Sequence, residues 1–80
     1  MNRERADVIR RHIEDLLCLR EELFQTRSQL LPVLSTFQFY NWDADGIKQA
    51  DDILLEKLDH SYEELTDLCQ ELDTQELDND

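Results

Sequence analysis

Carboxylates dominate the chemistry available to this chain. Residues 41–80 hold fourteen Asp and Glu against two Lys (Lys48, Lys57). Residues 1–40 balance six acids with six Arg (Arg3, Arg5, Arg10, Arg11, Arg20, Arg27), so the net charge of −12 sits in one half. Within that half Asp52, Glu56, Asp59, Glu63, Asp67 and Glu71 recur every three or four residues, one carboxylate per helical turn. Such a row has three uses. It solvates the outer face of a packed helix, it selects a basic protein partner through its directional field, or it imitates a nucleic-acid backbone to block a basic cleft. One charge per ~5.4 Å of helix is sparser than the one per ~3.4 Å of a DNA strand. Mimicry therefore needs the second-row acids Asp51, Glu64 and Asp73, or a second molecule. Direct nucleic-acid binding by this half is excluded, since both are polyanions. The cluster Arg3, Arg5, Arg10 and Arg11 is balanced by Glu4, Asp7, Glu14 and Asp15 and makes a poor basic patch.

A second oxygen-rich constellation is Asn41-Trp42-Asp43-Ala44-Asp45-Gly46, with Asp52 at the twelfth position. Alternate oxygen side chains, a sixth-position Gly and a twelfth-position acid can ring a hard cation. The stretch resembles an EF-hand calcium loop, which implies Asn41, Asp43, Asp45 and Asp52 as ligands. It departs from that pattern in Asn at the first position, Asp in place of Glu at the twelfth, Lys48 at the eighth, and the lack of a second copy. An acid-capped helix start, with Gly46 permitting the turn, accounts for the same residues, and no cofactor is expected.

Nucleophilic and metal chemistry find little support. Cys18 and Cys69 suit reduced thiols buried as small hydrophobes. In a hairpin hinged near residue 43 they would face each other, which leaves a redox-controlled bridge open. No CxxC occurs, and His12 and His60 stand alone. The single Gly excludes a phosphate-cradling loop. Catalytic carboxylate pairs need a pocket to shift their pKa values, and two narrow helices offer none. The expectation is that the protein is not an enzyme.

The elements that must position these groups are helical. One Gly and one Pro in 80 residues argue against a turn-rich fold. Ile9, Ile13, Leu16, Leu17, Leu23, Phe24, Leu30 and Leu31 form one stripe of a helix over about 3–30, with Arg20 and Arg27 at its edge. Pro32 predicts a break, followed by a short helix over about 33–40 that carries Phe37, Phe39 and Tyr40, and a turn through Trp42. The last helix is expected over about 46–73, N-capped by Asp43 or Asp45. In heptads, Ile47, Leu54, Ser61 and Leu68 take one core column; Asp51, Leu58, Leu65 and Leu72 take the other. Leu55, Tyr62 and Cys69 widen that stripe. Residues 74–80 read as an acidic, flexible tail beyond a single helical domain over 1–73.

The predicted fold is all-α: an antiparallel helical hairpin of two long amphipathic helices around a short aromatic connector. Its charges would set Arg20 and Arg27 against Asp59, Glu63 or Glu56. Two such helices cannot cover both stripes, so the hairpin would complete a bundle by oligomerising or with partner helices. The expected function is a non-enzymatic interaction subunit that associates through Ile9, Ile13, Leu16, Leu23, Leu54, Leu58, Leu65 and Leu68. Phe37, Phe39, Tyr40 and Trp42 would plug one end or anchor a partner, and the acidic helix would select basic neighbours. The alternatives are a nucleic-acid-mimicking inhibitor and a single EF-hand-like calcium binder of low affinity. The charged start lacks an export signal and no stretch is apolar enough to span a membrane, so an intracellular, cytoplasmic or nuclear, protein is expected.

Overall fold

Two helices account for the architecture of the computed structural model, which describes residues 3–77. Helix α1 spans Arg3–Phe39 and α2 spans Asp45–Leu77, folded back antiparallel. The molecule measures 62 × 15 × 12 Å with a radius of gyration of 18.2 Å, against about 12 Å for a compact chain of this length. It is a rod, and almost every side chain lies close to solvent.

Among the described residues of α1, those shielded from solvent are Ala6, Ile9, Ile13, Leu16, Arg20, Leu23, Arg27, Leu30, Leu34 and Phe37. Their spacing alternates strictly between three and four, the 3.5-residue period of a coiled-coil seam. The same alternation runs through Ala44, just before α2, and then Ile47, Asp51, Leu54, Leu58, Ser61, Leu65, Leu68, Leu72 and Gln75, with Ala50 and Glu71 half-buried beside it. Ala6, Ile9, Ala44, Leu58 and Ser61 are its most deeply buried residues.

The break expected at Pro32 does not occur, and the helices expected over 3–30 and 33–40 are one continuous α1. Pro32 projects from the outermost column, where the carbonyl left without an N–H partner meets water. Leu30, Leu34 and Phe37 meanwhile hold the seam on the opposite side, and the Thr36 hydroxyl donates to the Pro32 carbonyl at 3.0 Å. An interior proline costs ~3 kcal/mol, and seam packing on both sides offsets it. Residues 74–77 likewise continue α2 rather than fraying; 78–80 lie outside the described residues.

Helix α1 ends in a Schellman motif. Asn41 takes the left-handed conformation with φ 59°. The Trp42 N–H donates to the Phe37 carbonyl at 2.8 Å and the Asn41 N–H to the Gln38 carbonyl at 3.1 Å. The hydrophobic contact typical of that motif is present as an edge-on pair of the Phe37 and Trp42 rings, centroids 5.3 Å apart. Asn41 therefore carries the turn. Gly46, expected to do so, sits inside α2 with an ordinary negative φ. Asp43 Oδ1 accepts the N–H of Asp45 at 3.0 Å, satisfying a first-turn donor of α2 from just upstream of the helix.

Candidate functional site

The centre of the seam is polar. Arg20 and Arg27, expected at the stripe's edge, belong to the seam column that also holds Ala6, Ile13 and Leu34. They therefore meet the core columns of α2 and not Asp59, Glu63 or Glu56. Arg27 Nε donates to Asp51 Oδ1 at 2.7 Å, with the carboxylate side chain only 15% exposed. Arg20 donates to the Leu58 carbonyl at 2.7 Å and to Ser61 Oγ at 2.8 Å, and the Ser61 hydroxyl donates back to the Leu58 carbonyl at 2.8 Å. Sliding either helix by a turn would leave a guanidinium and a carboxylate facing hydrocarbon, so these layers fix the alignment. Arg5 and Glu71 pair farther along the same interface.

That alignment divides the remaining surface into two flanks. Helical neighbours of the seam on one side are Arg10, Leu17, Phe24, Leu31 and Gln38 of α1, with Lys48, Leu55, Tyr62 and Cys69 of α2. The Arg20 guanidinium lies 5.6 Å from the Phe24 ring centre and 5.7 Å from that of Tyr62, which puts both rings on this flank. Leu17, Phe24, Leu31, Leu55 and Tyr62 are all exposed, Tyr62 by 63%. They form an apolar strip about 20 Å long, taking 1.5 Å per residue from Leu17 to Leu31. The opposite flank is mixed: Leu16, Leu19, Leu23, Lys57, His60, Ser61 and Glu64 line an open groove of about 460 Å³ there.

Ile9, Ile13, Leu16, Leu23, Leu54, Leu58, Leu65 and Leu68, read from the sequence as a partner-binding seam, pack against each other within the hairpin. Apolar surface open to a partner lies in the adjacent column, with Val8, Leu19, Val33 and Ile53 exposed elsewhere along the rod. Asp52, Glu56, Asp59, Glu63 and Asp67 are exposed on the outer face of α2, whereas Glu71 turns inward to Arg5. At the hairpin's end Phe37 closes the seam, and Phe39, Tyr40 and Trp42 are exposed, Phe39 by 82%. Tyr40 stacks on Trp42 at 5.0 Å and meets Phe39 edge-on at 5.1 Å.

The cysteines do not face each other. Both are exposed, and because Arg20 pairs with Ser61, Cys69 lies about 9 Å farther along α2 than the residue opposite Cys18. That exceeds the ~7 Å limit for a bridge, and Cys18 points outward from the column shared with Pro32. The calcium-loop residues also separate. Asn41 caps α1, Asp43 is bonded to the α2 backbone, and Asp52 stands about 10 Å up α2 from Asp45. Among the described residues no three His, Cys, Asp or Glu side chains come together as a metal site.

The fold and surface define an all-α, two-helix hairpin with an uncovered apolar flank, and none of the described helices is long and apolar enough to cross a membrane. No family model matches the chain, nor does any curated protein or solved structure.

Proposed function

We propose that this protein is a non-enzymatic interaction subunit that binds another polypeptide through the flank formed by Leu17, Phe24, Leu31, Leu55 and Tyr62. The observation that supports this most directly is the continuity of that strip. Five large apolar side chains, all exposed, lie along one side of the rod, whereas Val8, Leu19, Val33 and Ile53 are exposed elsewhere on it. A contiguous apolar surface rimmed by polar residues is characteristic of a protein-binding site. Tyr62 and Phe24, already ordered over Arg20, have the aromatic character of binding hot spots. Catalysis is not assigned, because Asp52, Glu56, Asp59, Glu63 and Asp67 stand exposed on the convex outer face of α2, whereas acid–base work by carboxylates needs an enclosing pocket.

A photoreactive residue at position 24, in cells that express the chain, is expected to give a discrete protein adduct that the same residue at position 11 does not. Tyr62→Ser should abolish it. Absence of any adduct from position 24, with the chain folded, rejects the reading. Nucleic-acid mimicry draws on the acidic row instead, five of whose six carboxylates are exposed. It predicts competition with DNA for a basic protein and indifference to Tyr62→Ser.

A further inference from the structure

The apolar flank is bounded by acid on both sides. Beyond Leu17, Phe24 and Leu31 on α1, the next column outward holds Glu14 and Glu21; beyond Leu55 and Tyr62 on α2, it holds Asp52 and Asp59. All four carboxylates are exposed, and no Lys or Arg occupies either of those columns within the described residues. The cations of the flank are Arg10 and Lys48 at its two ends and Arg20 beneath its middle.

This arrangement discriminates between occupants. A second copy of the chain would lay its own acidic rims against these, in either orientation, between molecules that each carry −12. A helix with an apolar stripe flanked on both sides by Lys or Arg would seat the stripe between α1 and α2 and bring its cations to the four carboxylates. We propose that the flank is the docking groove for one basic amphipathic helix of a partner protein, about four turns long to match the strip's ~20 Å. The inference rests on the flank's being a protein-binding surface and specifies what that surface holds.

The probes are two eighteen-residue helical peptides with the same Leu stripe, one flanked on both sides by Lys and the other by Glu, titrated into the full chain by calorimetry and amide chemical-shift mapping. The Lys peptide is expected to bind, with shifts centred on Phe24, Leu31, Leu55 and Tyr62, and to weaken at least tenfold from 50 to 300 mM salt. The Glu peptide should bind at least tenfold less tightly. Phe24→Ser with Tyr62→Ser should remove binding of the Lys peptide while the circular dichroism spectrum still reports the folded hairpin. Glu21→Lys with Asp59→Lys, which leaves two cations against Glu14 and Asp52, should erase the preference between peptides.

Four results overturn the inference. Equal binding of both peptides at the flank removes the charge selection and leaves the protein-binding surface standing. A dimer by light scattering that Tyr62→Ser dissolves makes a second copy the occupant, again sparing that surface. Binding of the Lys peptide that ignores Phe24→Ser and Tyr62→Ser but is lost with Glu63→Lys and Asp67→Lys reduces the contact to charge on the outer face. Should neither peptide bind and the chain be monomeric, the inference fails; the adduct experiment then decides separately whether the flank binds protein.

Discussion

Two apolar columns run side by side along each helix, and they have opposite fates. The seam column of α1 (Ile9, Leu16, Leu23, Leu30) lies between the helices, whereas its neighbour (Leu17, Phe24, Leu31) is exposed. On α2 the same contrast separates Leu54 and Leu68 from Leu55, Tyr62 and Cys69. Residue type distinguishes the columns only at their ends, where the exposed ones carry Arg10, Gln38 and Lys48; their middles are alike in large apolar residues. What distinguishes them is the polar middle of the seam. Arg27 meets Asp51, and Arg20 meets Ser61 and the Leu58 carbonyl, only in this rotation of the two helices. A hairpin held by hydrocarbon alone would have two rotations of similar energy; the buried polar layers select one.

The contrast can be broken from the seam side first. Leu58→Ala, at a residue only 6% exposed, should destabilise by about 2–5 kcal/mol, enough in a domain this small to unfold much of the population on thermal melting. Asp51→Ala should cost about 1–3 kcal/mol by leaving Arg27 without its acceptor. Arg27→Met with Asp51→Leu should recover most of that loss while broadening the amide spectrum, as the rotation of the helices becomes degenerate. A variant pair that keeps one sharp set of amide signals would show that the polar layers do not choose the rotation.

Smaller effects test the turn that joins the helices. Asn41→Val, forcing a β-branched residue into a left-handed conformation, should lose about 1–2 kcal/mol. A Cβ added at Gly46 meets nothing within 4 Å, so Gly46→Ala should gain about 0.5–1 kcal/mol by removing backbone freedom inside a helix. If Gly46→Ala destabilises instead, the glycine has a role in the turn. Least of all should come from the flank: Leu17→Ser and Tyr62→Ser, at exposed sites, should each shift stability by no more than about 0.5 kcal/mol. A larger loss in chemical denaturation would place that column in the fold and not at a binding surface.

Much of this was legible in the residues. The heptad columns of α2, including the polar exceptions Asp51 and Ser61, follow from spacing, and so does the solvation of most of the acidic row. Other features were misread for physical reasons that can be named. Arg20 and Arg27 look like edge residues because arginine is rarely internal, yet Ala6, Ile13, Arg20, Arg27 and Leu34 recur at strict sevens. Pro32 looks like a breaker because sequence does not reveal that its column faces water. The cysteines look opposed if the hinge lies near residue 43, whereas the pairs Arg27–Asp51 and Arg20–Ser61 centre the hairpin near residues 39–40 and shift all cross-helix partners.

The sequence by itself determined that this chain makes two amphipathic helices, with acid gathered on the second, since periodicity and composition act locally along each helix. Tertiary structure alone decided that Arg20 and Arg27 lie inside the seam, how far the helices slide, and hence which hydrocarbon of α1 was left uncovered beside α2 between two rows of carboxylates. Local pattern cannot settle those choices, because a helix presents its columns around a cylinder and only the hydrogen-bonding demands of a facing helix break their near-equivalence.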